Sequence, residues 1–350
     1  MSSIRVIPPS FKLKKSITAV FSPTGGYLAQ IGRRVFVWDV AQCTIVSDFK
    51  VISNEIYLAF SGDQKIIAVK NTSGKLAFVD VPSGKIIASS DKSKTYTEGG
   101  QPQFLIKESL LLDGDWDGVL RLVDPMSARD VGSFAFTGQY KVSAIATSLQ
   151  RARYVVAVNN KYNQPGGSRL LLYEEPLRLD QPDTILPQDE SQKNDGGWLR
   201  IETLAMHPSG GKVAVALSAP PYGSTTVQLI DLDGNSSLTI VLPSYRHHVR
   251  SLSWSTSGIV AVSVHENLYR KGQTPEETRE LMRNTPHSHV CFYSDSSGDL
   301  IVQWPWVDAR TVAFSPNDDA LVVTSREQPG MYMVKAELQR IGLTLGEAGR

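Results

Sequence analysis

Short apolar strands alternate with polar, turn-rich segments along almost the whole chain. Five segments share one arrangement, in which an alternating strand is followed by a turn of Pro, Gly, Asn, Asp or Ser and then by a more apolar strand. They begin at Ala19, Leu58, Leu204, Leu252 and Val312. Turn residues of this kind between alternating segments predict antiparallel hairpins with one buried face.

A second feature follows these segments: an apolar strand that ends in an acidic residue, as in Val35–Asp39 and Leu76–Asp80. Five further copies, the last two degenerate, lie at 119–124, 170–174, 227–231, 289–294 and 331–334. Four short strands that recur about every 40 residues are typical of a propeller blade. The sequence therefore predicts an all-β fold, a seven-bladed β-propeller of four-stranded antiparallel blades.

The last copy lacks a fourth strand after Val334. In a closed ring the N-terminal strand can supply that strand, which removes the open sheet edges. We therefore expect Ile4 to Ile7 to pair beside Tyr332 to Val334 and so to close the propeller. Residues 1–336 would then be a single propeller domain, and residues 337–350 a C-terminal tail.

These repeats resemble those of the WD-repeat family. Trp38 and Asp39 form an intact WD dipeptide, residues 113–124 are similar to that family's hairpin between the second and third strands, and residues 245–255 are similar to its histidine-bearing start of a blade. The resemblance covers nearly the whole chain and implies a propeller that acts as a binding platform. Most copies lack the family's Gly-His pair, so its buried His-Ser-Asp-Trp network is not expected in most blades.

Departures from the repeat are candidate functional segments, since binding residues commonly lie on loops held by a rigid scaffold. The spacing between successive strand ends grows from 41 residues, between Asp39 and Asp80, to 63 residues, between Asp231 and Ser294. The added length lies in four connections of blades four to six: 159–168, 180–197, 218–225 and 265–288. Strand order alone predicts that these connections share one face of the propeller.

The longest insertion, 265–288, contains a predicted helix. Thr274 is suited to the N-cap, Pro275 to the first helical position and Glu277 to the third, which together form a capping box. The helix would run from Pro275 to about Arg283. Its apolar residues either pack on the propeller or anchor a partner.

Tyrosines and basic residues in these insertions are the candidate partner-binding residues, because Tyr and Arg combine a large contact area with hydrogen bonding. The alternative is that each loop tyrosine covers its own loop. The predicted site comprises Tyr162, Tyr222, Tyr269, Arg270, Lys271, Leu281, Met282 and Arg246.

Charge and composition narrow the classes of function. The formal net charge is +1, so no global field favours nucleic acid or an anionic membrane. No run approaches the roughly 18 apolar residues that a membrane span requires. Cys43 and Cys291 supply neither a disulfide framework nor a zinc motif. We expect a cytoplasmic protein without a nucleic-acid partner or a membrane span.

The chemistry-bearing motifs are sparse. Asp113, Asp115 and Asp117 match the first half of a calcium loop, but a tight hairpin between strands favours a structural turn. No phosphate loop or nucleophile elbow is present in the sequence, and no cofactor is expected.

We therefore predict a non-catalytic platform that binds a protein or peptide through the loop-rich face of blades four to six, alone or as a subunit of a larger complex. The alternative is a metal-dependent propeller hydrolase or lactonase with its site in the central channel.

Overall fold

The structure is a computed structural model of the chain. It describes residues 11–90, 98–136, 140–148, 150–161, 167–186, 193–194, 197–218, 226–234, 236–243, 247–266, 274, 276–277, 280, 288–306, 308–325 and 329–333. Within these residues the chain forms seven sheets of four antiparallel strands and one additional two-stranded hairpin. We number the strands β1 to β30 along the chain.

The first three sheets consist of β2 (Thr18–Phe21), β3 (Tyr27–Ile31), β4 (Val35–Asp39) and β5 (Thr44–Phe49); β6 (Glu55–Phe60), β7 (Ile66–Asn71), β8 (Leu76–Asp80) and β9 (Ile86–Ser89); and β10 (Gln103–Phe104), β11 (Leu111–Gly114), β12 (Val119–Asp124) and β13 (Arg129–Ala135).

The next three consist of β14 (Tyr140–Ser148), β15 (Arg153–Asn160), β16 (Ser168–Glu174) and β17 (Asp183–Leu186); β20 (Arg200–Met206), β21 (Lys212–Ser218), β22 (Thr226–Asp231) and β23 (Ser237–Ile240); and β24 (His247–Trp254), β25 (Ile259–Glu266), β26 (Ser288–Ser294) and β27 (Leu300–Trp306). The hairpin of β18 (Lys193–Asn194) and β19 (Gly197–Trp198) lies between the fourth and fifth sheets in the chain.

The seventh sheet is assembled from both ends of the described chain. Its strands are β28 (Val312–Phe314), β29 (Ala320–Val323), β30 (Gly330–Met333) and, outermost, β1 (Phe11–Lys12). Phe11 pairs with Met331 and Lys12 with Gly330. Within the described residues these two pairs form the closure. The pairing predicted for Ile4 to Ile7, like the boundary at residue 336 and the 337–350 tail, lies outside the described residues.

The sheets form a ring of blades. The first strand of each blade contacts the first strands of its two neighbours, and β2 contacts β28 across the closure. The second strands are buried along nearly their whole length, because each is flanked by a strand on both sides and by neighbouring blades on both faces. Apolar side chains fill the space between blades, as where Phe78 meets Phe104 edge-to-face at 6.4 Å. This is the predicted seven-bladed β-propeller.

Antiparallel pairing puts the start of the first strand, the end of the second, the start of the third and the end of the fourth at one end of each blade. Neighbouring blades point the same way: Thr18 Oγ1, at the start of β2, donates to the carbonyl of Ile56, at the start of β6, at 2.8 Å. The blade-to-blade links and the connections between second and third strands therefore share one face, which we call the link face. The opposite face, the turn face, carries the remaining turns.

Hydrogen bonds join adjacent blades at the turn face as well. Asp318, in the seventh blade, accepts from the main-chain N–H groups of Thr256 and Ser257 in the sixth blade, both at 3.0 Å. Ser148 of the fourth blade donates to the carbonyl of Pro208 in the fifth at 2.7 Å. Contacts of this kind fix the blades relative to one another at both ends of the ring.

Candidate functional site

The three enlarged connections between second and third strands all begin and end at the link face. They are bounded by Asn160 and Ser168, by Ser218 and Thr226, and by Glu266 and Ser288. All eight predicted partner-binding residues lie outside the described residues: Tyr162, Tyr222, Tyr269, Arg270, Lys271, Leu281, Met282 and Arg246.

The reciprocal hydrogen bonds of the predicted capping box are present in the third of these connections. The main-chain N–H of Glu277 donates to Thr274 Oγ1 at 3.2 Å, and the N–H of Thr274 donates to Glu277 Oε2 at 2.8 Å. These bonds to Thr274 lower the pKa of the Glu277 carboxyl. Glu276, Glu277 and Glu280 have helical backbone, and the rest of the predicted helix lies outside the described residues.

The central channel opens on the link face through a cavity of about 390 Å³. Its charged lining residues are Glu98, before the third blade, Glu202 in the fifth, Arg250 in the sixth, and Arg310, at the start of the seventh. Acidic and basic groups thus lie on different blades around one opening. We call this opening the channel mouth.

The two arginines of the channel mouth share one carboxylate. Arg250 Nη1 lies 2.8 Å from Asp308 Oδ1, and Arg310 Nε lies 3.0 Å from Asp308 Oδ2. Together the three side chains carry a formal charge of about +1 at neutral pH. The shared carboxylate orients both guanidinium groups, which are well suited to bind carboxylates in a two-point geometry.

On the acidic side of the mouth, partial burial raises the pKa of Glu98, an effect that Lys70 and Lys141 partly offset. Tyr57 lies in the same cavity, where burial and then the carboxylate of Glu98 raise its pKa to about 12. The phenol of Tyr57 is therefore a neutral hydrogen-bonding group at physiological pH.

Lys141 extends this charged surface onto the fourth blade. Burial is the main cause that lowers its pKa, and the guanidinium of Arg200 adds to that effect, against the opposing influence of Glu202 and Glu98. Its ammonium Nζ lies 5.6 Å from the centre of the Trp116 ring. This distance is within the range of a cation–π contact.

Trp116 lies at the tip of the hairpin that joins β11 to β12, and its residue exposure is 43%. Oδ1 of Asp115 accepts from the N–H groups of Asp117 and Val119, both at 2.9 Å, which fixes the turn. The main-chain N–H of Trp116 donates to the main-chain carbonyl of Glu98 at 3.2 Å. An exposed indole is thus held on a rigid turn next to the channel mouth.

A second aromatic–cation pair lies at the start of the fourth blade, where the main chain of Tyr140 packs on Gly118 of the Trp116 hairpin. Cζ of Arg169 lies 4.9 Å from the centre of the Tyr140 ring. We call Trp116, Tyr140, Lys141 and Arg169 the Trp116 surface. This surface was not predicted from the sequence, although a tryptophan inside an Asp-Trp-Asp-Gly turn is a usable signal, because turns lie at the surface and a large apolar residue there marks a candidate contact.

The aspartates that match half a calcium loop have other roles. Asp113 is buried against Lys70, at 2.7 Å, and Asp115 pairs with Arg121 while it fixes the turn. The hairpin is thus a structural turn, as predicted. Among the residues that the structure describes, no group of three or more His, Cys, Asp or Glu side chains could hold a metal ion.

The other end of the channel has a different character. On the turn face it opens through a cavity of about 300 Å³, lined largely by apolar side chains. Among them are Phe21, Phe60, Met206, Trp254 and Phe314. Among the described residues that line the two openings, the charged side chains lie at the link-face end of the channel, and most of the aromatic ones lie at the turn-face end.

The architecture defines the chain as a seven-bladed β-propeller with a charged channel mouth. It is similar to the crystal structure of the Myceliophteria thermophila Cps50 (Swd1) beta-propeller domain, with a TM-score of 0.65 and 14% sequence identity, over 94% of this chain and 99% of that one. At this identity the likeness shows the fold. No protein-family model matches the chain. No curated protein matches it either. In the described part of the chain, no helix has the length and apolar character needed to cross a membrane.

Proposed function

We propose that this chain is a non-catalytic protein-interaction platform that binds a protein or peptide partner through its link face. The observation that carries the proposal is the exposed indole of Trp116, held on a rigid hairpin beside the channel mouth. Tryptophan is enriched among the side chains that dominate binding energy in protein interfaces. Exposed and pre-ordered indoles contribute contact area at little cost in conformational entropy.

The enlarged connections of blades four to six also favour the link face as the binding face. Their flanking strands begin and end at the link face, so residues 159–168, 218–225 and 265–288 are attached to the same face as the Trp116 surface and the channel mouth. The eight residues predicted from the sequence, Tyr162 and Arg246 among them, remain part of the proposed site. A partner that spans both regions would contact the third to the sixth blades.

We also propose that the chain is a divergent WD-repeat protein, that it acts in the cytoplasm and that it can serve as a subunit of a larger complex. The repeat residues and the shared fold support the family assignment. Cys43 and Cys291 are free thiols, which agrees with a reducing compartment.

Partner capture with immobilised full-length protein tests the platform. We expect proteins that the wild type retains to be lost when Trp116→Ala is used or when the 265–288 connection is shortened. Met126→Ala is the matched control, because Met126 is 64% exposed and lies in a turn on the opposite face. Equal recovery with all four proteins would rule out the link face.

The metal-dependent hydrolase is the competing function. Elemental analysis of the purified protein, together with a hydrolase panel with and without chelator, distinguishes the two. Stoichiometric metal with chelator-sensitive turnover would contradict the platform.

A further inference from the structure

We propose that the partner segment recognised by the link face is acidic, and that one of its apolar side chains packs on Trp116. This inference rests on the proposed platform function and specifies the chemistry of the partner. Three features of the described residues carry it: the rigidity of the Trp116 hairpin, the cations placed around it, and the arrangement of charges at the channel mouth.

The hairpin is rigid because bonds on both sides hold it. The side chain of Asp115 holds the turn from within. Its main-chain carbonyl also accepts a hydrogen bond from the N–H of Val142, in the fourth blade, at 2.8 Å. Gly118, in the same turn, has a φ of 81°, and a Cβ added to it would lie 2.7 Å from the carbonyl of Tyr140. The turn thus packs directly on the next blade, and Trp116 presents its exposed surface from a fixed base.

Two cations are positioned on this surface by aromatic rings, Lys141 by Trp116 and Arg169 by Tyr140. A ring orients a cation through its quadrupole but does not neutralise its charge. Lys161 lies beside them and pairs with Asp117 at 3.4 Å, a contact that leaves that pair neutral overall. Carboxylates that approach Trp116 therefore meet two fixed positive charges.

The channel mouth adds to this field. Arg250 and Arg310 share the single carboxylate of Asp308, and Arg200 lies near Lys141. Among the described residues around Trp116 and the mouth, and apart from Arg200 and the Lys161–Asp117 pair, the positive charges belong to Lys141, Arg169, Arg250 and Arg310 and the negative charges to Glu98, Glu202 and Asp308. Positive groups are in excess, so complementarity favours an acidic ligand.

The interspersed carboxylates favour a peptide over a nucleic acid. A nucleic acid carries a negative charge at every phosphate, so a strand that crosses the mouth would meet Glu98, Glu202 and Asp308 as well as the cations. A peptide can place its carboxylates opposite Arg169 and Arg310 and a neutral residue opposite Glu98. The pattern therefore fits a protein segment in which acidic residues flank an aromatic or large aliphatic residue.

A random dodecapeptide library displayed on phage and selected on the immobilised full-length protein tests this inference. We expect the enriched peptides to be acidic and to contain an aromatic or large aliphatic residue. A fluorescein-labelled copy of the most enriched peptide is then titrated by fluorescence anisotropy. Trp116→Ala should weaken its binding about thirty-fold, as for a hot-spot residue. Arg169→Glu should weaken it about ten-fold or more, and added salt should weaken it further.

Two turn-face variants are the controls, Met126→Ala for the indole and Arg129→Glu for the charge reversal, since Arg129 is exposed at the start of β13. Both should leave the affinity within two-fold. Lys141→Gln is a further variant of the proposed site that removes the charge and keeps a polar side chain one atom shorter, and it should also weaken binding. Thermal unfolding followed by circular dichroism verifies that every variant is folded.

Enrichment of basic or neutral peptides that Trp116→Ala weakens would overturn the acidic partner and leave the platform standing. Acidic peptides whose affinity is the same for wild type, Trp116→Ala and Arg169→Glu would remove the proposed site. A labelled uridine dodecamer that binds more tightly than any selected peptide would replace the peptide by RNA. If no peptide is enriched, the proposal of an acidic partner segment is contradicted. The partner-capture experiment then tests the platform function separately.

Discussion

Nε1 of the Trp38 indole donates a hydrogen bond to Oε1 of Gln30 at 3.0 Å inside the first blade. Nε2 of Gln30 donates in turn to the main-chain carbonyl of Lys14 at 2.9 Å. Gln30 is fully buried. Gln30, in β3, therefore connects Trp38, in β4, to the segment before β2. Neither of these two bonds involves a histidine.

Gln30→Leu should lower the free energy of unfolding by about 1–3 kcal/mol, because it removes both bonds and leaves buried polar groups with fewer partners. Urea denaturation followed by circular dichroism measures the change. Gln42→Leu is the matched control, since Gln42 is exposed in a turn of the same blade and should change stability by no more than about 0.5 kcal/mol. Equal effects of the two substitutions would show that the bridge does not stabilise the blade.

In two other blades a buried polar side chain of the second strand bonds to the next blade. Asn159, in β15, donates to the carbonyl of Ile201 at 2.8 Å and accepts from its N–H at 3.0 Å. Ser263 donates to the carbonyl of Ala309 at 3.1 Å. In each case a buried polar side chain near the end of a second strand satisfies main-chain groups at the start of the next blade, which joins neighbouring blades at the link face.

Lys70 is the charged version of this contact. It is fully buried, and its Nζ lies 2.7 Å from Asp113 Oδ1 and 2.7 Å from the carbonyl of Gly114 in the third blade. Lys70→Met should lower the free energy of unfolding by about 3–5 kcal/mol, because it leaves the buried Asp113 with less compensation. Lys65→Met is the control, because Lys65 is exposed in the turn before β7, and it should change the free energy of unfolding by less than about 0.5 kcal/mol.

The double variant Lys70→Met with Asp113→Leu tests the origin of that loss. We expect it to be more stable than the sum of the two single losses implies, because it removes both charges together. Chemical denaturation of all four proteins gives the coupling free energy. Strict additivity would mean that the 2.7 Å contact contributes nothing beyond packing.

The strand pattern could be predicted from the sequence because alternation and turn residues are local properties. Lys70 could not, since its burial depends on Asp113, which comes from another blade. Phe11 and Lys12 supply the outer strand of the seventh sheet within the described residues, and the pairing expected of Ile4 to Ile7 stays a prediction. Trp116 was treated as part of a structural turn, which it is, but its exposure depends on how the hairpin packs on the fourth blade.

His207, on the turn face, should make stability depend on pH. Its imidazole packs edge-on against Trp254 at 5.3 Å, and Nδ1 lies 2.7 Å from Ser209 Oγ. Burial is the main cause that lowers its pKa, with Lys212 adding to the decrease and the carboxylates of Asp295 and Asp318 opposing it. The folded protein therefore disfavours the protonated form.

A pKa that is lower in the folded state means that the unfolded chain binds the proton more readily. The contribution of His207 to stability is thus complete above the unfolded pKa of about 6.5 and is lost as pH falls from there through the folded pKa. Melting temperatures of wild type and His207→Asn, measured from pH 8 to pH 5, should converge as the pH falls. A constant difference across that range would contradict this account, and His248→Asn is a control for general histidine effects.

Gly118 links the stability of the blade to the Trp116 surface. Gly118 has a φ of 81°, and a Cβ at this position would lie 2.7 Å from the carbonyl of Tyr140. Gly118→Ala therefore has to strain the turn or move it away from the fourth blade. We expect a loss of about 2 kcal/mol or more in the free energy of unfolding. Gly132→Ala, whose nearest contact would be an ordinary 3.8 Å to Leu122, should stay within about 0.5 kcal/mol of wild type.

The same pair of variants tests whether the turn positions Trp116. With 5-fluorotryptophan incorporated, Trp116→Phe identifies the fluorine resonance of this indole. We expect that resonance to shift in Gly118→Ala and to stay in place in Gly132→Ala, because only the first substitution displaces the hairpin from Tyr140. If both variants left it unchanged while Gly118→Ala lost stability, the strain would be absorbed elsewhere in the turn. The rigidity attributed to the Trp116 surface would then have to come from the bond between Trp116 and Glu98.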